Sequence, residues 1–101
     1  MGIFDKHRGG SIKIHILIKG RIGDAWKDID TFLKLPTGTT LGKLVEVAGA
    51  SGIPLREALD TSPHLTDTMM LNGERCPFTA NADKVLQDGD EIYLLAPIAG
   101  G

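Results

Sequence analysis

Cysteine is all but absent: Cys76 is the only one in 101 residues. A single thiol cannot staple a secreted mini-domain, and no pair of cysteines exists to hold zinc. Aromatic residues are also scarce, with one Trp, one Tyr and three Phe, so aliphatic side chains have to fill any core. Long apolar runs are missing too. The longest near the start is Ile16-Leu17-Ile18, far short of a signal peptide or a membrane span. Nor is there a surplus of positive charge: eleven Lys and Arg stand against thirteen Asp and Glu, a net charge of −2 with no basic block. Nucleic-acid binding draws most of its affinity from neutralising phosphates, so that class is disfavoured. The expectation is a cytoplasmic protein with neither nucleic acid nor membrane among its partners.

What is present suits one small domain. The apolar share of 42% with 24% charged is near the globular average. A chain this long buries roughly two-thirds of its unfolded surface. Residues 1–10 mix charge with Gly9-Gly10 and read as a loose leader, residues 11–97 as the folded domain, and residues 98–101 as a tail. Ile12, Ile14, Ile16 and Ile18 alternate with Lys13, His15, Leu17 and Lys19, the period-2 pattern of a half-buried strand. Gly20 to Gly23 offers a turn, and Trp26 to Leu35 a second strand, with Ile29, Thr31, Leu33 and Leu35 on one face. The period then changes. Leu41, Leu44, Val45 and Ala48 form one stripe of a helix that Thr39 or Thr40 caps and Gly49 or Gly52 stops. Leu55, Ala58 and Leu59 suggest a short second helix after Pro54.

Further on, Thr68 to Leu71 reads as a brief strand, Asn72-Gly73 as a tight hairpin turn, and Glu74 to Phe78 as its return. Asn81 to Leu86 suggests one turn of helix. Asp88-Gly89-Asp90 is a turn, and Glu91 to Ala96 the last strand. The order predicts an α+β fold, one main helix across one face of a mixed sheet of four to five strands.

The usual signs of catalysis and metal binding are weak. His7, His15 and His64 lie far apart, none at metal-ligand spacing from a carboxylate or cysteine. His15, opposite the isoleucines, reads as a solvated imidazole. Thr37 to Leu44 resembles a phosphate-binding loop only faintly: Thr37 stands where glycine is needed, and Leu44 where Ser or Thr is needed. Asp88, Asp90 and Glu91 read as a solvated turn, and Cys76 as a passive thiol.

The C-terminal end is different. Gly100-Gly101 follows a strand and Pro97, so the last α-carboxylate sits on a thin stalk that a narrow channel could admit. The four residues beyond Pro97 extend on the order of 13 Å, enough to place the terminus inside another protein. A carboxylate becomes electrophilic only once its oxygen is made a leaving group. Adenylation by a partner would do that, after which sulfide or an amine could attack.

Asp88-Gly89-Asp90-Glu91-Ile92, a hydrophobic strand and Ala96-Pro97-Ile98-Ala99-Gly100-Gly101 together resemble the ubiquitin-like β-grasp sulfur carriers. These are related to the small subunit of molybdopterin synthase and to the thiamine-pathway carrier. The Asn72-Gly73 turn and Thr40-Leu41-Gly42-Lys43-Leu44 support the likeness. The resemblance implies a β-grasp fold whose last strand is central and parallel to the first. It implies a non-enzymatic carrier with no bound cofactor and no metal. Its Gly101 carboxylate is adenylated by an E1-like enzyme at the expense of ATP and converted to a thiocarboxylate. A sulfur donor loads it, and a biosynthetic acceptor enzyme takes the sulfur. Pro97, Ile98, Ala99 and Gly100 would thread into the partner, and Phe32, Leu17 and Phe78 would be exposed apolar docking contacts. The alternatives are a small subunit of a molybdopterin-synthase-type enzyme and a ubiquitin-like protein modifier.

Overall fold

The computed structural model describes residues 10–22 and 24–96. Residues 1–9 of the expected leader and all of the expected tail, 98–101, lie outside the described residues, as does Pro97. In chain order the elements are β1 (Ser11–Ile22), β2 (Ala25–Pro36), α1 (Leu41–Ala50), α2 (Leu55–Thr61) and α3 (Leu65–Thr68), then β3 (Met70–Leu71), β4 (Glu74–Arg75), α4 (Phe78–Asn81) and β5 (Glu91–Leu95). The five strands form one mixed sheet in the order β2-β1-β5-β3-β4. β1 pairs antiparallel with β2 and parallel with β5, and β3 pairs antiparallel with both β5 and β4. This is the α+β, β-grasp arrangement, with the final strand in the middle of the sheet.

The core follows from the isoleucine alternation. Ile12, Ile14, Ile16 and Ile18 are all buried, as are Ile92 and Leu94 of β5. Against them lies the α1 stripe, Leu41, Leu44, Val45 and Ala48, every one fully buried. Each of these Ile, Leu and Val side chains contributes roughly 1.5–3 kcal/mol when withdrawn from water. The α1 helix is capped as its sequence suggests: the Thr40 hydroxyl accepts the Lys43 N–H at 3.2 Å. Gly52, at φ +85°, ends it, with the Ile53 N–H returning to the Ala48 carbonyl at 2.8 Å.

The structure departs from the sequence reading in three places. First, β1 does not stop before Gly20 but runs on to Ile22. Gly20 holds φ +117°, and a Cβ there would lie 2.6 Å from the Ala96 carbonyl oxygen. The glycine is there for a close approach between strands rather than for a turn. Second, Thr68 closes the four-residue helix α3, and the strand starts only at Met70. Third, the return strand expected over Glu74 to Phe78 pairs only at Glu74–Arg75, because the helical turn expected at Asn81 to Leu86 falls earlier, at Phe78–Asn81. The Asn81 side-chain amide donates to the Pro77 carbonyl, while Val85 bridges to Thr40 and the Leu86 N–H reaches the Thr39 carbonyl. Residues 84–86 are thus committed to extended pairing beside α1 and cannot coil.

Candidate functional site: the outer sheet face and the root of the C-terminal segment

β5 leads into the residues that the resemblance singles out. Its register with β1 runs from His15↔Glu91 to Lys19↔Leu95, and one further bond follows, from the Ala96 N–H to the Lys19 carbonyl at 2.8 Å. Ala96 is buried over Gly20. The chain therefore leaves from the centre of the sheet, clamped up to its last described residue. Gly101, Gly100, Ala99, Ile98 and Pro97 lie beyond, outside the described residues.

The entry to β5 is held as firmly. Asn72 and Gly73 take φ of 54° and 83°, the twin left-handed pair of a tight hairpin turn. The Asn72 side chain then works across the sheet. Its amide donates to Asp90 at 2.9 Å, and its oxygen accepts the Glu91 N–H at 2.9 Å. The other carboxylate oxygen of Asp90 accepts the Gln87 N–H at 2.8 Å, while Asp88 accepts the Lys13 N–H at 2.8 Å. The acidic turn thus satisfies backbone donors at a strand entry. Among the described residues no group of three or more His, Cys, Asp or Glu is placed to hold a metal ion.

The loop before α1 is likewise occupied from within. The Leu41 and Gly42 N–H groups, which a phosphate would need, donate to the carbonyls of Lys84 and Ala82. Gly42 leaves room for that crossing, since a Cβ there would approach the Ala82 oxygen to 3.2 Å.

The sheet face opposite the helices carries Lys13, His15, Leu17, Lys19 and Arg21 of β1. Beside them lie Trp26, Asp28, Asp30, Phe32 and Lys34 of β2, and Glu91, Tyr93 and Leu95 of β5. Phe32 and Leu17 share this face. Phe32 is 58% exposed, and Leu17 is half-buried between Asp30 and Tyr93 in the register. Phe78 is elsewhere: it opens α4, packs against the core and lies under the Arg56 guanidinium, 5.9 Å from the ring centroid. The three apolar candidates are therefore not one patch.

Two contacts escaped the sequence reading. Trp26 (58% exposed) and Leu95 (49% exposed) flank a small apolar concavity completed by Lys19, Gly20 and Ala96, at the root of the C-terminal segment. The available signal was parity, because Leu95 falls opposite to Ile92 and Leu94, and Trp26 shares the phase of Asp28.

His15 was the other miss. It is only 18% exposed, not a solvated side chain. Phe32 stacks on the ring at 4.7 Å between centroids and Tyr93 meets it edge-on at 6.1 Å. Nε2 contacts Asp30 Oδ1 at 2.5 Å, and Nδ1 lies 3.5 Å from Glu91 Oε2. The hydrogen bond to Asp30 raises the His15 pKa above its ordinary 6.5, helped by Glu91 and opposed by partial burial. Glu91 also accepts the Tyr93 hydroxyl at 3.1 Å, which holds that phenol above its usual range. One imidazole thus joins β2, β1 and β5 on the open face. By contrast His64 is exposed before α3, and Cys76 is buried.

A central, parallel last strand and a trailing Gly-Gly are the marks that a comparison with known proteins can decide. The model of the ThiS family matches residues 24–101. This chain belongs to the ThiS family. Members of the ThiS family are small ubiquitin-like sulfur carriers rather than catalysts, and they work with partner enzymes. The match begins after β1, and the structure supplies that strand as the partner of both β2 and β5. The fold is also similar to the solution structure of the Haloferax volcanii HVO 2177 protein. The TM-score is 0.58 at 15% identity, over 100% of this chain and 97% of that one. No curated protein matches the sequence. Among the described residues no helix is long and apolar enough to cross a membrane.

Proposed function

We propose that this ThiS-family chain carries sulfur as a thiocarboxylate on Gly101. In the first step a carboxylate oxygen of Gly101 attacks the α-phosphorus of ATP within an E1-like partner, and pyrophosphate leaves. In the second, sulfide from a donor attacks the resulting acyl carbon, AMP leaves, and a C–S bond replaces a C–O bond. A biosynthetic acceptor enzyme then takes the sulfur. ATP is consumed by the partner and no cofactor resides on this chain. The reading puts the cycle in the cytoplasm.

The observation that carries the reading is the seating of β5. Five residues follow Ala96, a reach of at most about 17 Å when fully extended. An enzyme acting on Gly101 has its surface within that distance of the root. Pro97, Ile98, Ala99 and Gly100 are the segment that enters it, and glycine at the end leaves no side chain to obstruct a channel. The apolar residues nearest the root, Trp26 and Leu95, are the docking contacts this geometry favours, with Leu17 and Phe32 further along the same face.

The test is the intact mass of the purified protein after incubation with ATP, sulfide and extract of the native cell. The expected result is the gain of one oxygen-to-sulfur exchange, lost on deletion of Gly101 while the circular dichroism spectrum is unchanged. A gain that survives the deletion rejects the assignment to Gly101.

A further inference from the structure

The sheet has two edges, and they are unequal. β4 is two residues long, whereas β2 is twelve residues long and lies at the other edge. Its backbone direction follows from the ladder. Lys13, His15 and Lys19 of β1 bond towards β5 and the loop before it: the Gly89 N–H to the Lys13 carbonyl, the His15 N–H to the Asp90 carbonyl, and the Ala96 N–H to the Lys19 carbonyl. Even-numbered residues of β1 therefore bond to β2, where their partners carry odd numbers, as in Ile12↔Leu35 and Ile16↔Thr31. Trp26, Asp28, Asp30, Phe32 and Lys34 consequently turn their N–H and C=O groups away from the sheet. A long strand with such an outward row is a template for another strand.

The side chains along that row select an occupant. In an antiparallel pairing of β2 with itself about a two-fold axis at Thr31, Asp28 meets the other copy's Lys34, and Lys34 meets its Asp28. On the same face Asp30 meets Phe32. On the other face the half-buried Ile29 meets Leu33, and Thr31 meets Thr31. Opposite charges are paired, aliphatics are paired, and no like charges face each other. Moving the register by two residues in one direction sets Asp30 against Asp30. Within one chain Lys34 lies opposite Lys13, a like-charge pair that Asp28 of another copy relieves.

We propose that two copies of this chain join β2 to β2 about an axis through Thr31, forming a continuous ten-stranded sheet. The contact is isologous, as a closed two-fold dimer requires. It keeps the ends of the two β5 strands apart, because five strand spacings, about 24 Å, separate these strands, which run in opposite directions. Each carrier in the pair is open to its own partner enzyme.

The experiment is sedimentation of the full chain across a micromolar to millimolar concentration series, with charge-reversed variants. Wild type is expected to approach the dimer mass at the top of the series. Asp28→Lys and Lys34→Asp are each expected to weaken association at least about tenfold, since each sets two like-charge pairs across the axis. Mixing the two variants in equal parts restores both ion pairs and with them the dimer. A further measurement does not depend on those variants folding. Thr31 would form a non-hydrogen-bonded pair with its copy, about 4.5 Å between Cα atoms, so Thr31→Cys should cross-link readily under mild oxidation. A wild type that stays monomeric throughout, a dimer that neither reversal weakens, reversals that mixing does not rescue, or a Thr31→Cys variant that fails to cross-link each overturns the proposal.

Discussion

Ile12, Ile14, Ile16 and Ile18 alternate with Lys13, His15, Leu17 and Lys19 along one strand, yet the two sets do different work. The isoleucines are buried in the core, three of them completely. The alternate residues border a polar face where an imidazole, two carboxylates, a phenol and scattered apolar side chains meet. Changes on the inner side act on whether the domain exists. Changes on the outer side act on what it meets. This division lets the outer face vary while the scaffold that seats β5 stays intact.

The sharpest way to break the comparison is Ile16→Ala set beside Leu17→Ala. Removing the fully buried isoleucine should cost about 2–5 kcal/mol of unfolding free energy, read from urea denaturation. The half-buried leucine next to it should cost well under half as much. Similar losses at both positions would mean that the two faces are not energetically distinct.

Gly20→Ala comes next, because it crosses from one side of the comparison to the other. The new Cβ is pressed against Ala96 from a residue at φ +117°. The expected loss is about 1–3 kcal/mol from strain and crowding. The bond from the Ala96 N–H to the Lys19 carbonyl should weaken as well, visible as faster amide exchange at Ala96. Protection at Ala96 equal to that of wild type would show that the seat tolerates a side chain. Asn72→Ala is expected to cost about 1–2 kcal/mol, since it leaves the Glu91 N–H and buried Asp90 each short of a partner.

The smallest effect belongs to the outer face and depends on pH. The folded state holds the His15 pKa above 6.5 through Asp30, so the protonated form binds its proton more tightly when folded. The stabilisation is complete below 6.5 and is lost as pH rises through the folded value. Wild type should therefore lose a little melting temperature across that window, and His15→Gln should lose less. Parallel curves for the two proteins would remove the Asp30–His15 pair from the account.

Much of the scaffold was legible because it rests on periodicity. The four isoleucines, the α1 stripe and the Asn72-Gly73 turn each encode a local geometry that a short window reveals. What escaped has a common cause. The helices α3 and α4 are four residues long, too short to show a period. Gly20 reads as a turn residue until Ala96, far away in sequence, is seen against it. The environment of His15 comes from Asp30 and Glu91, 15 and 76 positions away, and only the register of three strands brings them together.

The position of β5 has a mechanical side. Tension applied beyond Ala96 runs along a strand flanked by β1 on one side and β3 on the other, so it loads those hydrogen bonds together, in shear, instead of peeling them one after another. An enzyme that grips and withdraws from the end of this molecule can tug without unravelling it, and a motor that feeds on chain termini would find this one a stubborn place to start.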